Sequence, residues 1–341
     1  MVTIRDVAKA ARVSTATVSA VINGSAFVSP ELRHRVENAV AALRYAPSLA
    51  ARNLKSGRSH LIALVVADLA NPFFARIVWA AEAAAAAWGY SLVVFNSDEK
   101  PDTEKRNIAR IRALRCDGAV LSPVGQTDPS RFRELEGSIP TVLLGGASQS
   151  KTLDTVTLNN RSAGRQVTEY LLDLQHTRIG SVTGPLHLDQ GRGRYEGMLD
   201  AMTARGLAPD PDHVRSGEFR EDAAYSVAHD LLRRPDRPTA LYAANGLMAL
   251  GVMRAVIDLG LTCPDDISIV STDLIAGIAG IQPRLTRTEH PIVEMTNEAM
   301  RMLIGRVDEK GAVPARNVVF QPNLVIGDSV AVPKAIRRLI P

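Results

Sequence analysis

Cysteine is nearly missing from this sequence of 341 residues: Cys116 and Cys263 stand far apart and share no metal-ligand spacing. They read as idle thiols in a reducing cytoplasm, which excludes a disulfide framework. Long apolar runs are missing too. No stretch approaches the roughly 18 apolar residues of a membrane-spanning helix, so no membrane partner is expected. The opening "MVTIRDVAKAARV" carries Arg5, Asp6 and Lys9 where a secretory signal needs an unbroken apolar core. Nucleotide and catalytic signatures are also lacking. The run "LIALVVA" is followed by "DLANPFF", without the glycines of a dinucleotide fingerprint, and "GRGRYEG" has the wrong spacing. No P-loop, no G-x-S-x-G elbow and no His/Glu metal cluster occurs, and the seven histidines are scattered. Neither an enzyme nor a bound cofactor or metal is expected.

Acidic residues are scarce at one end. Residues 1–59 hold nine Lys/Arg against three acids, a net +6, which leaves −2 for the rest of a chain whose total is +4. A basic head on a near-neutral body suits contact with a polyanion; a solvated charged face is the plain alternative. An apolar content of 46% is that of a globular protein.

The head reads as three short helices. Thr3 can cap the first, "IRDVAKAA", with Ile4, Val7, Ala8 and Ala11 as its apolar stripe. Ser14 can cap the second, "TATVSAVI", with Val18, Val21 and Ile22 inward. Ser29 and Pro30 open the third, which the pattern carries to about Tyr45 through Leu32, Val36, Ala39, Val40 and Leu43. A tight turn between two helices and a third to brace them is the helix-turn-helix pattern, whose second helix reads the major groove with its N-terminus. A helical adaptor for protein is the alternative, against which the basic excess argues. Next comes "PSLAARNLK", Pro47 to Lys55: an apolar segment too short to be a stable helix alone.

From His60 onward apolar runs alternate with helical stretches. "LIALVVA", "YSLVVF", "GAVLS", "PTVLLG", "RIGSVTG", "TALYAA" and "ISIVS" read as buried parallel strands. The alternation predicts two doubly wound α/β lobes, whose ligands bind beyond the carboxyl ends of the strands.

The D-V-A, V-S-x-x-T-V-S, V-x-N, V-S and Y-x-P-x-x-x-A-R-x-L patterns occur in order within the first 54 residues. With them the chain resembles the lac repressor family of bacterial transcription regulators. The body stretches "NPFF", "CDGAVLSP", "GRYEGMLDAM", "RPTALYAANGLMALGVMRA" and "PDDISIVSTD" resemble the same family's effector domain, which shares the fold of periplasmic sugar-binding proteins. The resemblance implies an all-α helix-turn-helix head over 1–46 and a hinge helix with linker over 47–59. A two-lobed effector-binding and dimerisation domain then spans 60–330, and a tail 331–341. Lobe 1 would hold about 60–158 and 291–319, and lobe 2 about 159–290 and 320–330, with crossings near Leu158, Pro291 and Phe320.

The resemblance also implies roles. Thr3, Ser14, Thr15, Ala16, Thr17, Ser19 and Asn23 would contact DNA from the head, and Ala50, Arg52, Leu54 and Lys55 from the hinge. There a twin copy and DNA order the segment together, and Leu54 wedges into the minor groove. Phe73, Phe74, Arg194, Asn245 and Asp273 would line the effector site, although each phenylalanine could equally be an ordinary core residue. Departures from the family pattern are Arg12 in place of a helix-ending glycine and Ala20 in place of a base-contacting side chain. Asn159, Gly246, the pair Gly145–Gly146 and Leu188 stand where charged residues are common. These losses of charge favour a neutral polyhydroxylated effector such as a sugar. The tail "AVPKAIRRLIP" has no leucine heptad, so a homodimer on palindromic operator DNA is expected. A sugar-binding or transport component would account for the body but not the head. A nucleoid-type architectural protein would account for the head but not the cleft.

Overall fold

The computed structural model describes residues 2–24, 26–45, 58–125, 132, 139–146, 153–273, 282–308 and 314–337. The expected hinge helix, with Ala50, Arg52, Leu54 and Lys55, lies outside the described residues. Two compact units result, one up to His60 and one from Leu61 onward.

The first unit is α1 (Ile4–Ala11), α2 (Thr15–Asn23) and α3 (Pro30–Ala42). Val7, Ala8, Ala11, Val18, Val21, Val36 and Ala39 form its core. Asp6 sits in the first turn of α1, and its carboxylate accepts from both the backbone N–H and the hydroxyl of Thr3, at 2.8 Å each. The α1–α2 turn is where the sequence departs from the family pattern. Arg12 takes the left-handed conformation there (φ 52°, ψ 48°), which costs a side-chain-bearing residue about 1 kcal/mol or more. Arg35 of α3 holds the turn. Its Nε and Nη2 donate to Ala11 O at 3.1 and 2.6 Å, and Nη2 also reaches Arg12 O at 2.9 Å. A cation therefore occupies the carbonyl end of α1, where the helix dipole favours it. The third helix stops at Ala42, short of the expected Tyr45: Arg44 turns left-handed (φ 47°) and Tyr45 N–H closes back on Val40 O.

The second unit carries two six-stranded sheets. Lobe 1 contains β1 (Leu61–Val66), α4 (Pro72–Ala87), β2 (Ser91–Asn96), α5 (Pro101–Ala113), β3 (Gly118–Leu121), β4 (Thr141–Leu144) and β5 (Asp154–Leu158). Lobe 2 contains α6 (Asn160–Asp173), β6 (Ile179–Thr183), α7 (Asp189–Ala204), β7 (Val214–Ser216), α8 (Glu221–Leu232), β8 (Ala240–Ala243), α9 (Gly246–Asp258), β9 (Ser268–Thr272) and β10 (Thr286–Glu289). Helix α10 (Ile292–Asp308) and strand β11 (Asn317–Phe320) belong to lobe 1. Strand β12 (Asn323–Val325) returns to lobe 2, and α11 (Lys334–Arg337) follows. The strand orders are 2-1-3-4-5-11 and 7-6-8-9-10-12. Every pairing is parallel except β10 with β12. Both sheets thus repeat one doubly wound order, with a switch point beside β1 in one and β6 in the other.

The central strands are buried on both faces, which is why they read as unbroken apolar runs. Ile62 to Val66 are all 0% exposed. Strands β5, β7, β10, β11 and β12 lack such runs: "VRS" is an edge strand with part-exposed side chains, and "TRTE", one strand in from its edge, buries threonines. Buried Asp154 anchors the returning chain, accepting from Nε and Nη2 of Arg306 (2.9 and 2.7 Å) and from the backbone N–H of Arg316 (2.7 Å). Two crossing segments are tied together where Asn159 N–H donates to Phe320 O at 2.8 Å and Asn159 Nδ2 donates to Gln321 Oε1 at 3.1 Å.

Candidate functional site: a cleft between two lobes and a recognition helix

In the head, Ser14 Oγ accepts from Thr17 N–H at 3.0 Å and lies 2.9 Å from Thr17 Oγ1. Both residues are therefore committed to starting α2. Asn23 Nδ2 donates to the carbonyl and hydroxyl of Ser19 at 2.9 and 3.1 Å, and Thr3 is engaged with Asp6. Thr15 and Ala16 are left exposed at the first turn of α2. That turn has the orphan N–H groups and positive dipole end that suit DNA phosphate and base edges.

In the body, the carboxyl ends of the two sheets enclose a cleft of about 480 Å³, within the size range of small-molecule sites. Asn71 caps α4 through Phe73 N–H at 3.0 Å and so places Phe73 and Phe74 at the cleft wall of lobe 1. The two rings meet edge to face at 5.2 Å. Phe74 is 9% exposed and belongs to the lobe 1 core; Phe73 is more open.

Arg194 is the buried cation of the cleft, 7% exposed. It sits on α7, which lies close against α6. A Cβ on Gly164 would fall 1.9 Å from the carbonyl oxygen of Arg194, so only glycine permits that approach. The guanidinium is distributed over three partners. Nε donates to Asn160 Oδ1 at 2.9 Å, Nη1 to Ala244 O at 2.6 Å, and Nη2 to His290 Nε2 at 3.2 Å. The Phe219 ring lies 5.7 Å from its central carbon. Burial pushes its pKa down, opposed by Tyr242 and Asp273.

Asp273 follows β9 in the left-handed region (φ 65°) and is 5% exposed. Its Oδ2 lies 3.5 Å from His290 Nδ1. Asn245 lines the cleft with much of its amide already used: Oδ1 caps α9 through Met248 N–H at 2.8 Å, and Nδ2 donates to Phe219 O at 3.3 Å. The five body residues singled out in the sequence thus line one cleft, where Asn245 also serves as the cap of α9.

Several lining residues gave no sequence signal. Asn160 and His290 orient Arg194. Gln190 Nε2 donates to Gly145 O at 2.7 Å, a direct bond between the lobes across the cleft. Glu99 in lobe 1 faces the lobe 2 rim; burial raises its carboxyl pKa, with Arg220 pulling the other way. Backbone strain repeats in corresponding loops. Asp98 and Glu99 after β2 (φ 51° and 52°) match Glu218 and Phe219 after β7 (φ 52° and 56°). Such outliers persist where surrounding structure over-determines them, and they concentrate at ligand sites. Asn159, by contrast, caps α6 and points its amide at Gln321, outside the cleft lining.

Other candidate chemistry is weak. Burial lifts the thiol of Cys116 to about 11 and that of Cys263 to about 12, so neither is a nucleophile at neutral pH. Among the described residues Asp210, His213 and Asp236 could approach a metal ion. Asp236, however, is clamped by Arg234 through two bonds of 3.0 Å. Among the described residues no helix is long and apolar enough to cross a membrane.

Comparison with known proteins agrees with both parts of this picture. Residues 3–48 match the model for bacterial regulatory proteins of the lacI family, and residues 168–330 match that for a periplasmic binding protein-like domain. The chain is 35% identical to the ribose operon repressor of Escherichia coli K12, over 91% of this chain and 94% of that protein. It is 33% identical to the HTH-type transcriptional repressor PurR of Photorhabdus laumondii, over 97% of each. Among solved structures, the lac repressor dimer bound to operator and the anti-inducer ONPF superposes with a TM-score of 0.87 at 28% identity, over 97% of this chain and 99% of that one. The complex of the regulator CelR with cellobiose superposes at 0.73, with 28% identity over 96% and 100%. With a helix-turn-helix head, a two-lobed body enclosing a cleft, and repressors aligned along nearly its whole length, the chain belongs to the lacI family of bacterial regulatory proteins and is a ligand-responsive, DNA-binding transcriptional regulator.

Proposed function

We propose that this regulator works in the cytoplasm as a homodimer on palindromic operator DNA and that its effector is a neutral sugar held in the interlobe cleft. The observation that carries the effector reading is the composition of the cleft wall. The rings of Phe73 and Phe219 offer faces for sugar C–H surface, and a few buried polar groups, Arg194 and Asp273 foremost, are ready for hydroxyls. Among the described lining residues the acids Glu99, Glu218 and Asp273 outnumber the arginines Arg194 and Arg220. An anionic effector would meet that balance unfavourably. A relative named for the ribose operon and a structural neighbour bound to cellobiose agree with a sugar.

In the head, Thr15 and Ala16 read base edges, and the segment holding Leu54 folds on DNA when two copies meet. The effector changes lobe closure and thereby the spacing of the two hinge segments. The coupling is reciprocal: operator binding alters effector affinity by the same factor. The test is a panel of neutral sugars with D-ribose first, read by thermal shift of the full chain and by operator affinity. A sugar that raises the melting temperature and changes operator affinity is the expected outcome. A panel that moves neither, with sugar phosphates or nucleobases active instead, overturns the sugar reading.

A further inference from the structure

His290 is the last residue of lobe 2 before the chain crosses to α10, and it is 6% exposed. Its ring links three elements. Nε2 lies 3.2 Å from Arg194 Nη2 on α7, and Nδ1 lies 3.5 Å from Asp273 Oδ2 after β9. The ring also meets Phe73 of α4 edge to face at 5.6 Å, so it touches the wall of the opposite lobe. A guanidinium has only donors. The bond from Arg194 therefore requires a lone pair on Nε2, which places the imidazole proton on Nδ1, toward Asp273. One neutral tautomer accepts from Arg194 and turns its N–H toward the Asp273 carboxylate, 3.5 Å away. The imidazolium cannot accept from Arg194, because its Nε2–H would face the N–H of Arg194, cation against cation.

We propose that His290 is the positioning residue that holds Arg194 and Asp273 in their cleft-lining geometry, and that it does so only as the neutral imidazole, so that effector binding weakens on acidification. The proposal rests on the reading that the cleft takes the effector. The charged groups facing the ring are Asp273, Arg194 and, from α4, Arg76. Burial depresses the imidazole pKa below its ordinary 6.5; Asp273 opposes this, and Arg194 and Arg76 add to it. Since the folded value lies below the unfolded one, the stability tied to His290 is complete above about pH 6.5 and is lost as pH falls through the folded value. Protonation frees Arg194 from its third anchor. Glu99 across the cleft, its carboxyl pKa raised by burial, is a second group that can titrate, so the reference must retain it.

The reference is His290→Gln, whose amide offers an acceptor to Arg194 and a donor to Asp273 but does not titrate. Two measurements on the full chain start at about pH 8 and run below the ordinary histidine range, to the lowest pH at which the chain stays folded. In ligand-free thermal unfolding, the wild type should lose more melting temperature on acidification than His290→Gln. In D-ribose titration, wild-type affinity should hold until pH falls through the lowered folded value of His290 and drop about tenfold there, while His290→Gln stays nearly flat. His290→Leu, which gives Arg194 no acceptor, should bind at least about tenfold more weakly at every pH. Parallel pH profiles for the wild type and His290→Gln, or full affinity in a folded His290→Leu, would overturn the proposal. Should D-ribose not bind at any pH, the ribose reading fails on its own. The unfolding comparison then decides for His290: divergent curves sustain it and parallel curves sink it.

Discussion

Arginine at helix ends and in the cleft does two different jobs in this protein. Arg35 caps α1 by donating to Ala11 O and Arg12 O. Arg35→Ala should cost about 1.5–3 kcal/mol of local stability, since bonds from a charged donor are lost and helix carbonyls are left bare. Faster amide exchange at Val13 and Val18, with the body unchanged, would register it. Arg194 is the cleft counterpart. Arg194→Ala should weaken effector binding tenfold to a hundredfold, about 1.5–3 kcal/mol, and leave operator affinity in the absence of effector as it was. A reporter that still answers normally to effector would move the site elsewhere. The resemblance to the lacI family marked Arg194, Asp273 and Phe73, because they match positions of its effector-site motifs. It did not mark His290 or Asn160. Their importance comes from meeting Arg194 across 96 and 34 residues of chain, and a single sequence carries no trace of that meeting. Asn245, matched as a polar strand-end position, lines the cleft and also caps α9 with its carbonyl oxygen.

Among elements, those with a strong apolar period were legible and those held by partners were not. The central strands and the long helices follow from their own residues. Short β7 and β12 exist because a neighbouring strand receives them. The helix pair α6–α7 rests on glycines that the period cannot flag: a Cβ on Gly197 would fall 1.9 Å from Arg161 O, as one on Gly164 would from Arg194 O. Gly164→Ala should therefore push α7 away from α6, cost about 1–3 kcal/mol as overpacking, and displace Arg194. Lower thermal stability together with weaker effector binding is the expected pair of results. Stability loss with unaltered binding would show that α7 adapts without moving its arginine. The segment around Leu54 belongs at this scale too. On the proposed reading of Leu54 as a minor-groove wedge, Leu54→Ala should shrink the operator bend seen with circularly permuted fragments. Non-specific affinity, which depends on phosphate charge, should hold.

At the scale of the whole molecule, head and body are separable physical objects with their own cores. A fragment starting near Ser59 should remain folded, bind effector with full affinity and fail on operator DNA. Operator binding by that fragment would remove the head from its role. The body is itself one doubly wound order used twice, and the chain passes between the copies at three places. That topology makes a hinge of the crossings and a clasp of the facing strand ends. The bond from Gln190 to Gly145 closes the clasp on a main-chain carbonyl. The acceptor is a main-chain oxygen placed by the left-handed turn at Gly145, so closure needs the Gln190 amide and that turn but no other side chain of the wall. A lineage can therefore exchange Phe73, Phe219 or Glu99 for other groups, and so change what the regulator senses, without losing the contact that lets it shut.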